Sequence, residues 1–174
     1  MRALQLAISR GTEATLTIVG DGSSMKRLKQ LSIDLGLEER VAFAGWRTRQ
    51  ELEGIYDHHD VLILPSFQDT GGYVVIEAIN KGLSVVCLDQ GGPAMLVSLD
   101  RGIKVPVQSA VQVIEDLATA ISEFATGNAP KDLDCLERGS SDAKVMTAEK
   151  LANEVERLYL TILEPRIHGA SDYS

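Results

Sequence analysis

At 174 residues, 44% of them hydrophobic, with a mean hydropathy of +0.01, the chain has the size and core-forming content of one α/β domain and reads as neither membrane-embedded nor unstructured. A net charge of −8 and a sequence pI near 4.9 exclude broad attraction to nucleic acid, because phosphate contacts need clustered Lys and Arg; a small anion held by backbone amides stays compatible. No apolar run is long enough to span a bilayer and the first residues lack the pattern of a secretory leader, so the expected location is cytoplasmic.

Arg2 to Arg10 has helical spacing and stops at Gly11. Thr15 to Val19 is a β-branched strand ending in Gly20-Asp21-Gly22, after which Ser23 or Ser24 is expected to cap a helix running to about Leu35. Arg40 to Ala44 is a short strand ending at Gly45. Thr48 is placed to cap a helix to Tyr56, with Glu51 at the capping-box position. Val61 to Leu64 is a continuous apolar run, the pattern of a parallel strand covered on both faces. Tyr73 to Asn80 reads as a helix opened by Gly71-Gly72, and Ser84 to Leu88 as the next buried strand, followed by a turn over Asp89 to Pro93. Ile103 to Val107 and Ala110 to Phe124 give a further strand and helix. Helices around Leu133 to Arg138 and from Thr147 to about Leu163 follow, with a disordered tail over 166–174.

This alternation predicts a doubly wound parallel sheet in a single domain over residues 1–165. Ligands of such sheets bind outside the carboxyl ends of the strands. The four turns that fall there all carry glycine: Gly20-Asp21-Gly22, Gly45-Trp46-Arg47, the loop Asp69 to Gly72, and Gly91-Gly92-Pro93. A helix opened by glycines presents its first N–H groups and a positive dipole end, so Gly71, Gly72, Tyr73 and Val74 outline a phosphate site. Glu77, about one turn into that helix, is placed to accept hydrogen bonds from ribose hydroxyls, and Asp69 from hydroxyls of whatever the diphosphate carries. By spacing alone the same residues are equally a plain turn, a cap and a solvated glutamate. The Gly20 turn carries Met25 where a dinucleotide fingerprint needs glycine, which disfavours a nicotinamide or flavin site.

Taken in order, LTIVGDG, RVAFAGW, DVLILPS and DTGGYVVIEAINKGLSVVCLDQGGP resemble the C-terminal, Rossmann-like half of retaining GT-B glycosyltransferases of group one, family four, over Ala3 to about Leu163. The resemblance implies a UDP- or GDP-sugar donor and no other cofactor. Asp69 and Glu77 would be the catalytic-site carboxylates, with Asp69 at the donor sugar and Glu77 at the ribose. The amides of Gly72, Tyr73 and Val74 would hold the diphosphate, Gly45-Trp46-Arg47 would lie near the base, and Gly20, Asp21 and Gly22 would line the crevice. No Asp-x-Asp metal motif occurs, in keeping with metal-independent departure of the diphosphate. The family's first carboxylate is usually Glu; the shorter Asp69 alters the reach to the sugar. Relatives carry a strand and a basic Arg, Lys pair ahead of Arg2, and an N-terminal acceptor-binding domain. The expectation is therefore a truncated donor half of a polysaccharide-biosynthesis enzyme, inactive alone, whose full-length form is cytoplasmic or peripheral to the inner membrane face. The alternative is a nucleotide-sugar-binding module without catalysis. An unpaired sheet edge would invite self-association.

Among the other residues, Cys87 reads as a small buried thiol within SVVCL. His58 and His59 are weak metal candidates without acidic or Cys partners at ligand spacing. Trp46 is expected to be a lid on the core rather than a platform for a base, and Arg47 and Arg49 either contact phosphate or solvate their loop.

Overall fold

The structure, a computed structural model, describes residues 1–67, 71–98 and 101–129. The expected helices beyond 129, the tail 166–174, Cys135 and the domain boundary at 165 lie outside the described residues. Helices and strands alternate as α1 (Arg2–Ser9), β1 (Leu16–Val19), α2 (Met25–Asp34), β2 (Val41–Gly45), α3 (Arg49–Tyr56), β3 (Val61–Leu64), α4 (Tyr73–Asn80), β4 (Ser84–Leu88), α5 (Gly91–Leu96), β5 (Gly102–Val105) and α6 (Ala110–Ala125). All strand pairs are parallel: β1 with β2, β3 with β4, and β4 with β5. The α/β class with parallel strands thus agrees with the sequence expectation. The ladder is not continuous, however, since among the described residues β1-β2 and β3-β4-β5 form two separate sheets.

β4 is the centre of the larger sheet. Val85, Val86, Cys87 and Leu88 are all buried, and successive side chains leave opposite faces, as the two-residue period of a strand requires. Val86 and Leu88 enter a cluster with Ala3 and Ala7 of α1, Val105, and Val113, Leu117, Ala118 and Ala120 of α6. Val85 and Cys87 enter the other, with Tyr56 of α3, Val75 and Ala78 of α4, Leu83 and Val97. Burying each Val or Leu is worth about 1.5–3 kcal/mol. Cys87 is the small buried thiol expected, and burial pushes its thiol up.

Three expectations need correction. β3, read as covered on both faces, is only half-buried along its whole length, and among the described residues one of its edges has no neighbouring strand. Ser24 precedes α2 but its hydroxyl makes no cap bond: its backbone is already helical, φ −81° and ψ −10°, which turns the side chain away from the N–H groups a cap must reach. The segment read as a turn at Gly91-Gly92-Pro93 opens the short helix α5, since proline is well tolerated in a first helical turn.

β5 sits against β4 at Gly102, whose register partner is Val85. A Cβ there would run into the Val85 carbonyl oxygen and come within 2.8 Å of Val97 Cγ1. Gly102→Ala is therefore expected to cost about 2 kcal/mol or more through forced displacement of β5, read as a lowered urea midpoint with an unchanged slope. An unchanged midpoint would show that the contact between β4 and β5 is loose.

Candidate functional site

The carboxyl ends of β1, β2, β3 and β4 carry the four glycine turns. Those after β1 and β2 are tied together, the Gly20 N–H donating to the Gly45 carbonyl at 2.8 Å. Within the first turn the Gly22 N–H donates to Asp21 Oδ1 at 2.7 Å, so this carboxylate is engaged with its own loop. Trp46 is 71% exposed, which corrects its reading as a core lid: the chain leaves β2 through Gly45 with φ +70°, carrying the indole to the outside. Phe67 and Tyr73 are also exposed, so aromatic surface borders this end of the sheets. Gln90, ahead of α5, donates through Nε2 to the Phe67 carbonyl at 3.3 Å, linking the loops after β3 and β4.

α4 begins as the sequence suggests. Gly72 adopts φ +56° and ψ +19°, a left-handed conformation natural to glycine. Its carbonyl accepts from the N–H groups of Val75 at 2.9 Å and Ile76 at 3.3 Å. Tyr73 and Val74 stand ahead of that ladder, at positions whose N–H groups lie beyond the reach of intrahelical carbonyls. A Cβ on Gly72 would meet Leu96 Cδ1 at 2.5 Å, so the turn leans directly on α5. Asp69 lies outside the described residues.

Glu77 faces a cleft between α3 and α4 lined by Arg49, Glu53, Tyr56, Glu77, Asn80 and Lys81. Glu77 Oε1 is 3.6 Å from Arg49 Nε. Arg47 pairs with Glu51 at 3.4 Å. At the far end of the cleft Lys81 reaches Asp57 at 3.2 Å and Glu53 at 3.7 Å. Such exposed pairs contribute little stability and mainly orient side chains. Tyr56 forms the buried wall; burial, and then the charge of Glu77, push its hydroxyl up. The structure therefore brings Glu77 of α4 beside Arg49 at the start of α3. It adds Tyr56 and the partnership of Arg49 with Glu77, which join residues 28 positions apart and leave no local pattern in the sequence. His58 and His59 donate through Nδ1 to the helix carbonyls of Gly54 and Ile55, and His59 Nε2 lies 2.8 Å from Thr17 Oγ1. Among the described residues no group of three His, Cys, Asp or Glu side chains comes together to hold a metal ion.

The capping box fixes where α3 starts. Glu51 N–H donates to Thr48 Oγ1 at 3.3 Å, while the Thr48 N–H donates to Glu51 Oε2 at 2.8 Å. The Thr48 N–H, then its hydroxyl, and more weakly Arg47 hold the Glu51 carboxyl below its ordinary value. A carboxyl lowered on folding stabilises above its unfolded pKa, and the contribution is lost as pH falls through the folded one. Thr48→Ala is expected to cost about 1 kcal/mol at neutral pH and to flatten the acid limb of the stability profile below the ordinary carboxylate range, checked by urea melts from neutral to acid pH.

Comparison with known proteins bears on what this arrangement does. Residues 1–126 match the family described as glycosyl transferases group 1. The D-inositol 3-phosphate glycosyltransferase of Mycobacteroides abscessus is 37% identical over 98 residues, which are 56% of this chain and 21% of that enzyme. The chain spans between about a fifth and two fifths of the curated relatives it first matches. Among solved structures, the pneumococcal O-GlcNAc transferase GtfA, in complex with UDP and GlcNAc, superposes with a TM-score of 0.65 at 22% identity, over 74% of this chain and 26% of that one. HepE from Anabaena, in complex with UDP, gives a TM-score of 0.57 at 25% identity, over 74% and 37%.

Proposed function

Because the chain belongs to the group 1 glycosyltransferase family, we propose that residues 1–129 form its nucleotide-sugar-binding half, holding a UDP- or GDP-sugar at the carboxyl ends of the strands. One observation carries this reading: the glycine turn that starts α4 and the Glu77 carboxylate belong to the same short helix, and that carboxylate faces the cleft bordered by the start of α3. A diphosphate at Tyr73 and Val74 would meet N–H groups and the positive end of the helix dipole. The ribose would then lie farther along α4, with its two hydroxyls donating to Glu77. The complex of HepE with UDP supports a uridine nucleotide as the first ligand to try.

In this reading the base lies by Gly45, Trp46 and Arg47, where the exposed indole offers a stacking face, and Gly20 and Gly22 let backbone approach from the β1 side. Asp69 contacts the donor sugar. Transfer proceeds with retention at the anomeric carbon, the α4 N–H groups stabilising charge on the departing diphosphate. The acceptor is supplied from a separate acceptor-binding domain across the cleft. The acidic surface suits this division of labour: with a net charge of −8, long-range attraction does not concentrate the ligand, so local amide donors have to provide the affinity.

Glu77 already has a partner in Arg49, so ribose binding has to share or replace a cation that stands 3.6 Å away. Two hydrogen bonds to a charged acceptor are worth enough that Glu77→Ala should weaken UDP or GDP about tenfold or more. Isothermal titration of UDP and GDP against the wild type and Glu77→Ala, with circular dichroism to verify folding, tests this. Equal affinity in the two proteins would remove Glu77 from the ribose role.

A further inference from the structure

Arg49 occupies a position that its own helix does not favour. The capping box fixes Thr48 as the N-cap of α3, so Arg49 is the first helical residue and stands at the positive end of that helix's dipole, where a cation is disfavoured. Its side chain is 79% exposed, and its ion-pair partner is Glu77 on the neighbouring helix, 3.6 Å away.

Lys81 also turns to the opposite helix. Glu77 and Lys81, the C-cap of α4, are four positions apart with the acid first, the spacing and order that favour a pair within one helix. Lys81 instead reaches Asp57 at 3.2 Å and Glu53 at 3.7 Å, and it makes no ion pair with Glu77. Arg49, Glu53 and Asp57 are themselves spaced by four, so they form one stripe along α3 and its C-cap. That stripe meets α4 in crossed register, with a cation opposite Glu77 and two acids opposite Lys81.

The consequence falls on the Glu77 carboxylate. A lysine bonded to it would occupy an acceptor site and compete with a ligand; Glu53 and Asp57 hold that lysine elsewhere. Arg49 approaches only Oε1, at a distance too long for a hydrogen bond, and among the described residues no hydrogen bond reaches this carboxylate. The pair therefore orients Glu77 by charge while both of its oxygens keep their accepting capacity. Two neighbouring hydroxyls of one ring require such an acceptor, open at both oxygens and held in one rotamer. The buried Tyr56 closes the inner side of the cleft, so the open side is the one left for the ligand.

We propose that Arg49 is the positioning residue of the nucleotide site: it holds Glu77 so that both ribose hydroxyls donate to it, and the site thereby selects ribose over 2′-deoxyribose. This rests on the reading that Glu77 meets the ribose, and it extends that reading by assigning the carboxylate's orientation, and the sugar discrimination that follows, to a residue of another helix. Because Arg49 uses no acceptor site, ribose binding shares this cation and does not replace it.

Isothermal titration of UDP and 2′-deoxy-UDP against the wild type, Arg49→Gln, Arg49→Lys and Glu77→Ala tests the proposal, together with the χ1 rotamer of Glu77 read from NMR couplings without nucleotide. An exposed pair adds little stability, so the Arg49 variants are expected to fold, as circular dichroism will verify. The wild type should prefer UDP about tenfold or more, the worth of one hydrogen bond to a charged acceptor. Arg49→Gln should cut that preference to about threefold or less, leave the affinity for 2′-deoxy-UDP within about twofold, and let Glu77 average among its staggered rotamers. Arg49→Lys, which keeps the charge, should restore the preference; its failure to do so would overturn the electrostatic role. Full preference in Arg49→Gln, alongside its loss in Glu77→Ala, would overturn the proposal and leave Glu77 at the ribose. Equal weakening of both nucleotides in Arg49→Gln would overturn it by moving Arg49 to the diphosphate. A Glu77 side chain that already averages in the nucleotide-free wild type would overturn it with no ligand involved. By contrast, a wild type without preference, or a preference that survives Glu77→Ala, would remove Glu77 from the ribose and this inference with it.

Discussion

The whole arrangement depends on the burial of β4. Four successive side chains, Val85 through Leu88, are removed from water, and a strand can do this only if both faces of its sheet are covered by helices and both edges are paired. The parallel partners β3 and β5 provide the edges. α1 and α6 cover one face, and α3 and α4 the other. Parallel pairing in turn forces each connection to run the length of the sheet, which brings every turn that follows a strand to one edge. The site is thus a by-product of packing: the glycine turns gather because the core leaves them nowhere else to lie.

The helices on the α4 face have two duties. Their inner sides, Tyr56, Val75 and Ala78, build the core, while their outer sides carry the cleft with Arg49, Glu53, Glu77 and Lys81. Opposite charges alternate along that cleft, from Arg49 and Glu77 near the helix starts to Lys81, Glu53 and Asp57 at the other end. Paired this way, the side chains hold defined positions without adding a large net field to an already acidic surface. Glu77 is the member nearest the start of α4, and its pairing with Arg49 places a polar group at the junction of the two helices.

Much of this was legible in the residues, for reasons that differ by element. α4 was read with its observed limits because Gly72 before it and Lys81-Gly82 after it are strong local punctuation, and the capping box at Thr48 and Glu51 was equally explicit. β4 announced itself by SVVCL. The exposure of β3 was not legible, since an apolar run is the same whether a neighbouring strand is present or not. Nor was α5, whose Gly-Gly-Pro start mimics a turn, nor the outward Trp46, whose direction is decided by the positive φ of Gly45. The residues show the candidate site as a set of turns and two carboxylates, Asp69 and Glu77, of which Asp69 lies outside the described residues; the ion pairs are hidden because Arg49 meets Glu77 only after α3 and α4 have docked.

The contact between Gly72 and Leu96 gives the turn an unexpected dependency. With only 2.5 Å between a would-be Cβ and the Leu96 methyl, the backbone that opens α4 rests on a side chain from a different loop, the one that follows β4. Positions 72 and 96 are consequently one unit of variation. A larger residue at 72 has both to adopt the left-handed φ of +56° and to displace the Leu96 methyl, and a change at 96 alone bears on the opening of α4 without touching it in sequence. Natural drift in the turn that opens α4 is therefore metered by a leucine from another loop.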